Sequence, residues 1–285
     1  MEYKIIYNHD ERFPQCLRDI TDSPGKLYYM GNIELLNSYC VAVVGSRKCS
    51  DYGRRTAMKL GGRLASEGIT VVSGMARGVD TFAHKGALEA GGKTIAVMGT
   101  PIDECYPAAN RQLKERIIEK GLVLSEYPPG YPTDRKNFPK RNRIISGLSR
   151  ATILGEAGLN SGALITANLA VEQGREVYAI PANIDNPKAL GGNLLIKDGA
   201  SPLVVLDDIF DELGIMRGAK NDNVLEDLEE DEKIIIMALA EKGEMTVDEL
   251  CVHSHLTPSN VNGIVTVLEM KGLVHTELGK IFLAK

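Results

Sequence analysis

VAVVGSRKCSDYGRRTAMKLGGRLASEGITVVSG, residues 41–74, decides the fold. Two short β-branched runs, VAVVGS (41–46) and ITVVSG (69–74), enclose a stretch with helical character over Gly53–Glu67. A continuous apolar run of this length reads as a strand buried on both faces. Strand, helix and strand in this order make a βαβ unit around a parallel pair. The pattern recurs outward in TIAVMG (94–99), LVLSEY (122–127), ATILGE (151–156) and EVYAIP (176–181). Helices are predicted over Gly78–Ala90, Ala108–Lys120 and Gly162–Gln173. The class is therefore α/β, a parallel sheet with helices against it. Many of the 29 glycines fall where strands end, the edge at which open α/β sheets bind ligands.

Outside that core the pattern changes. Residues 1–38 form an N-terminal segment punctuated by a turn at Asp22–Gly25. The sheet domain is expected over 39–217. An acidic linker occupies 218–231, and a small winged-helix-like domain occupies 232–285. The last reading rests on a helix over Glu232–Lys242, a second over Thr246–His253, a third from Thr257 to about Lys271, and a hairpin over Leu273–Ala284. Thr246 followed by Glu249 is a capping-box spacing.

Composition excludes several classes. Of 285 residues, 44% are hydrophobic and 25% charged, the balance of a globular protein. No apolar run approaches the length of a membrane span, and the first residues lack the apolar core of a secretory signal, so the expected location is the cytoplasm with no membrane partner. The five cysteines are scattered without a C-x-x-C pair, which argues against disulfides and zinc. Net charge is −5, but from Asn223 onward five Lys/Arg face twelve Asp/Glu. The body before it carries a net +2 and can present a basic face.

Three turns follow predicted strands: Gly45-Ser46-Arg47, Ser73-Gly74-Met75-Ala76-Arg77-Gly78, and Gly155-Glu156-Ala157-Gly158 with Ser161-Gly162 beyond it. Backbone N–H groups at helix starts, joined by hydroxyls and by Arg47 and Arg77, suit phosphate oxygens. The bland alternative is tight turning, for which glycine is the default. Neither the dinucleotide fingerprint nor the Walker sequence is present, so no nucleotide cofactor is expected. A second cluster, DRKNFPKRNR (134–143), holds Arg135, Lys136, Lys140, Arg141 and Arg143 around Phe138. Cations tracking phosphates and a ring stacking on a base are how a single strand is held. A solvated basic loop, or arginines paired with carboxylates, is the alternative. Asp80 and His84 lie four apart on one helix face and read as structural. Glu156 is the best lone carboxylate for glycosidic chemistry but has no visible partner. No catalytic set and no metal site is expected. The third helix of the tail, TPSNVNGIVTVLEMKG, carries one lysine and one glutamate, poor equipment for duplex phosphates, and favours a protein-binding or regulatory role, or a dimer contact.

These blocks resemble the DNA-processing protein A family, DprA/Smf. The resemblance is carried by VAVVGSR (41–47), SGMARGVDTFAH (73–84), GKTIAVMGTPIDECYPAAN (92–110), LSEYPPGYP (124–132), FPKRNRIISGLS (138–149), EAGLNSGALITANLA (156–170) and GGNLLIKDGA (191–200). It implies an extended Rossmann-like, mostly parallel sheet with flanking helices. It also implies a protein that binds and protects incoming single-stranded DNA, helps load the RecA recombinase in natural transformation, and forms a homodimer through the Rossmann-like domain, without turnover. The DNA-contacting face would comprise Gly45, Ser46 and Arg47, the Ser73–Gly78 loop with Gly74, Met75 and Arg77, Arg135 or Lys136, the Phe138–Arg143 block with Lys140 and Asn142, and Glu156, Ser161 and Gly162. Arg141 and Arg143 either join that face or hold the groove through salt bridges. The alternative is a nucleoside-monophosphate phosphoribohydrolase of the related Rossmann type, with Glu156 in its active site. A third reading, a duplex-binding regulator, is opposed by the acidic tail.

Overall fold

The computed structural model describes residues 2–214, 228–271, 273–277 and 279–283. The chain divides into two compact units, Met1–Met216 and Arg217–Lys285. Within the predicted linker, residues 218–227 lie outside the described residues.

The first unit is built on one sheet. Its strands are β1 (Lys4–Tyr7), β2 (Lys26–Gly31), β3 (Cys40–Val44), β4 (Thr70–Ser73), β5 (Thr94–Met98), β6 (Leu122–Ser125), β7 (Ala151–Leu154), β8 (Glu176–Ala179) and β9 (Ser201–Pro202). They lie in the order β1-β2-β6-β5-β4-β3-β7-β8-β9. From β6 to β9 every pairing is parallel, whereas β1–β2 and β2–β6 are antiparallel. The helices are α1 (Gln15–Arg18), α2 (Asp51–Ser66), α3 (Val79–Glu89), α4 (Arg111–Lys120), α5 (Asn137–Leu148), α6 (Gly162–Glu172), α7 (Leu190–Lys197) and α8 (Asp208–Glu212).

The two-residue period of a strand explains the layers. Cys40, Ala42 and Val44 of β3 pack in one core with Ile144, Ile145 and Leu148 of α5. Val41 and Val43 pack in the other, with Leu60 and Leu64 of α2 and Ala83 and Ala87 of α3. β3 is buried throughout, as its unbroken apolar run predicts. Truncating a side chain such as Leu64 to Ala would cost about 2–5 kcal/mol.

All six predicted strands are present, and three more join them. Residues 1–38 are not separate from the sheet: Ile6, Leu27 and Tyr29 share the core that contains Ala42. The region between α4 and β7 differs more. The basic block reads as a polar stretch, yet Asn137–Leu148 is helical. Pro139 sits in the first turn, where its missing N–H breaks no helical bond.

The second unit comprises α9 (Glu230–Lys242), β10 (Glu244–Met245), α10 (Val247–Ser254), α11 (Pro258–Met270), β11 (Val274–Glu277) and β12 (Lys280–Leu283). Its three strands pair antiparallel in the order β10-β12-β11. The predicted capping box forms. The Thr246 hydroxyl accepts from the Glu249 N–H at 3.3 Å, and the Glu249 carboxylate accepts from the Thr246 N–H at 2.8 Å. Ile235, Leu239, Leu250, Val261, Leu268 and Ile281 make the core.

Candidate nucleic-acid interface

The sheet changes winding direction between β3 and β7. From β3 the chain crosses to β4 on one side, while β7 lies on the other. Their ends are in register, Val44 opposite Leu154, so the loops beyond them part and leave a crevice. A cleft of about 790 Å³ opens there. Gly45, Ser46, Arg47 and Lys48 line it beyond β3, Ala76 and Asp80 beyond β4, and Phe138, Pro139, Arg141 and Asn142 from α5. The far side is lined by Gly158, Leu159 and Ser161 before α6, by Gly162 and Ile165 on it, and by Pro187, Lys188 and Leu190. Beside it lies a recess of about 40 Å³ bounded by Arg47, Gly74, Ala76, Arg77, Tyr106, Pro107, Phe138 and Arg141.

Buried polar groups fix the Gly74–Arg77 loop from below. One Asp80 carboxylate oxygen accepts from the Gly74 N–H at 3.1 Å and the Ala76 N–H at 3.3 Å. Arg141 Nη1 donates to the carbonyls of Gly74 at 2.8 Å and of Val97. The Asn110 amide donates to the Met75 carbonyl at 2.9 Å, and the Thr81 hydroxyl to the Ala76 carbonyl at 2.6 Å. Met75 is thereby held at φ 60°, a left-handed conformation unusual for a side-chain-bearing residue. Gly78 has φ 78°, and a Cβ there would strike the Ser46 carbonyl, so glycine alone lets the first two loops meet. Burial pushes the Asp80 carboxyl above its usual range, opposed by Arg141 and by the amides it accepts. Burial lowers the Arg141 guanidinium to about 10, with Asp80 opposing.

Above this layer Arg47 and Arg77 are exposed. The Arg47 guanidinium lies 5.6 Å from the Phe138 ring centre, and on α5 Lys140 also reaches solvent. Arg135 and Lys136, just before that helix, are exposed as well. Arg47, Arg77 and Phe138 thus bound one recess. Ser161 caps α6, its hydroxyl accepting from the Ala163 N–H at 3.4 Å.

Other expected members of the face lie inside. Arg143 is buried, with Nη2 2.7 Å from Glu126 and Nε 2.8 Å from Asp22. Arg141 lines the cleft floor but is committed to backbone carbonyls. Arg143 thus makes the expected salt bridges, whereas Arg141 is held by backbone carbonyls and still lines the cleft. Ser73 is buried and donates to the Val43 carbonyl at 2.6 Å, and the Met75 side chain is fully buried. Glu156 is buried too. Its Oε2 accepts from the Ser50 N–H at 2.8 Å and hydroxyl at 2.5 Å, which fastens the loop beyond β3. Its geometry is that of a loop fastener. His84 is buried, with Nδ1 2.6 Å from the Thr94 hydroxyl, and burial lowers it to about 3. Among the described residues no group of three or more His, Cys, Asp or Glu could hold a metal, and no helix is long and apolar enough to cross a membrane.

Sequence reading missed Tyr106 and Lys188. The available signal for Tyr106 was its position in the Gly/Pro-punctuated turn beyond TIAVMG, on the same rim as the glycine loops.

Residues 4–214 match the DNA recombination-mediator protein A family, and residues 219–280 match the DprA winged helix domain. The chain belongs to the DprA family. It is 46% identical over 203 residues to the DNA processing protein DprA of Streptococcus pneumoniae, covering 71% of this chain and 72% of that protein. It is 42% identical over 212 residues to protein Smf of Escherichia coli, covering 74% and 57%. The S. pneumoniae crystal structure superposes with a TM-score of 0.71 at 44% identity, covering 74% of this chain and 75% of that one. A Helicobacter pylori DprA structure, described as revealing a unique single-stranded DNA binding mode, superposes at 0.68 with 29% identity, covering 75% and 96%. The family thus fixes the mostly parallel α/β sheet and the winged helix as its two parts, and places the protein among DNA recombination mediators.

Proposed function

We propose that this protein binds single-stranded DNA across the rim formed by the loops after β3 and β4 and the start of α5. It turns over no substrate. The carrying observation is that Arg47, Arg77 and Phe138, 91 residues apart at the extremes, bound one recess beside a basic-walled cleft. Arginines give bidentate contacts to successive phosphates and the ring offers a face to a base. The single-stranded DNA binding described for the H. pylori relative supports the reading. The family's description as a recombination mediator supports the further role of protecting incoming strands and helping to load RecA on them, as natural transformation requires. The protein works as a cytoplasmic homodimer. Support for self-association comes from Val204 and Val205, exposed just beyond β9.

Titration of single-strand and duplex oligonucleotides at two salt concentrations tests this. The single strand should bind much more tightly, with affinity falling as salt rises. Equal affinity for both forms, or affinity independent of salt, would overturn the proposal.

A further inference from the structure

Tyr106 is 53% exposed, although it stands on a loop fastened on every side. Lys114 Nζ, itself buried, donates to the carbonyls of Ile102 and Glu104 at 2.6 Å each. The Ile102 N–H donates to the Tyr127 carbonyl at 3.2 Å. The Asn110 amide ties the loop's far end to Met75 at 2.9 Å. Such fastening holds the backbone on either side of Tyr106, whose ring centre lies 5.3 Å from that of Phe138 with the rings inclined by 52°. Arg47 lies over Phe138, and Arg47 and Arg77 bound the same recess as both rings.

We propose that Tyr106 is a second base-contacting residue, forming with Phe138 a two-ring ledge that takes two successive unpaired bases and selects for strands that unstack easily. This rests on the single-strand reading above and adds its base preference. The rings are too close to admit a base between them. Their mutual inclination also prevents two bases that remain stacked in parallel from lying flat on both. A strand seated on the ledge turns between one base and the next, which costs least in pyrimidine runs. Tyr106 stands on a fastened backbone and has only two side-chain torsions to order, so the contact costs little conformational freedom on binding.

The test uses the full chain, unaltered and as Tyr106→Leu and Tyr106→Phe, titrated with oligo-dT, oligo-dA and an abasic strand of equal length. The unaltered protein should prefer oligo-dT. Tyr106→Leu should weaken oligo-dT binding about tenfold and erase the preference, while abasic binding and the salt dependence stay unchanged. Tyr106→Phe should behave as the unaltered protein, because the ring face and not the hydroxyl does the work. Unchanged oligo-dT binding by the leucine variant overturns the proposal. So does an equal loss on the abasic strand, which would make Tyr106 a prop for its neighbours. Should the leucine variant misfold, a 4-thiothymidine strand cross-linked to the unaltered protein decides: adducts on Tyr106 and Phe138 support the ledge, and adducts on Phe138 alone overturn it. An unaltered protein that fails to hold any single strand overturns the DNA reading itself, which the other outcomes leave standing.

Discussion

Two layers of the same rim carry cations and do different things with them. In the lower layer Arg141 and Arg143 are buried and spend their donors on backbone carbonyls and on Glu126 and Asp22. In the upper layer Arg47 and Arg77 are exposed, Arg47 resting on a ring. A buried cation is costly unless its donors are placed, so these two serve the geometry of the rim. An exposed one is cheap to hold and keeps its charge for a ligand. The lower layer makes the loops rigid, and the upper layer exploits that rigidity.

Removing a lower-layer arginine should therefore unfold, and removing an upper-layer one should only unbind. The largest effect is expected from Arg143→Ala. It leaves Glu126, 17% exposed at its side chain, facing no cation, and should destabilise the fold by about 3 kcal/mol in a denaturant titration. A loss below about 0.5 kcal/mol would dissolve the distinction between the layers.

The second effect concerns His84, beneath the same loop. Its folded value of about 3 lies below that of an unfolded histidine. Between about pH 6.5 and 3 the unfolded chain takes up a proton that the folded chain refuses, so stability falls as pH falls, by about 1.4 kcal/mol per unit at the full effect. Asp80 acts in the opposite sense: its raised value means the folded chain binds the extra proton, and acid favours the fold between the unfolded carboxyl value and that raised one. Comparing His84→Gln with the unaltered protein isolates the histidine. The variant should show a slope shallower by about one proton in melts between pH 6 and 4. Parallel curves would show that His84 takes up its proton in the folded state.

Third in size is the upper layer itself. Arg47→Ala with Arg77→Ala should leave the denaturation midpoint in place. Single-strand affinity should fall about tenfold at physiological salt, and the slope of log affinity against log salt should flatten by about 1.4, two contacts at about 0.7 each. Unchanged binding in this double variant would remove both arginines from the interface.

Much of this architecture was legible in the residues. Strands such as Cys40–Val44 announced themselves as unbroken apolar runs, and α2 and α3 by their spacing. The N-terminal strands did not, since Lys4–Tyr7 and Lys26–Gly31 are short and mixed, and join the sheet only by pairing with each other and with β6. Within Asp134–Arg143 the cations were visible but not their directions. A helix turns by about 100° per residue, so neighbours in sequence face different ways. What holds Arg143 inward is Glu126, 17 residues away, with Asp22, 121 residues away, also accepting from it. Tyr106 met Phe138 across 32 residues, a contact that no local spacing encodes.

The smallest expected effect is the most discriminating within the upper layer. Arg47→Lys keeps the positive charge, so the salt slope should not change. It loses the planar fork, and with it the capacity for bidentate phosphate contact and the guanidinium's contact with the Phe138 ring. An exposed cation–ring contact is worth about 0.5–1 kcal/mol, which corresponds to a loss of affinity of about two- to fivefold. Such a loss at constant slope would show that Phe138 orients Arg47 as well as meeting a base. Full affinity in the lysine variant would mean that Arg47 acts as charge alone, and the upper layer would then differ from the lower one only in its exposure.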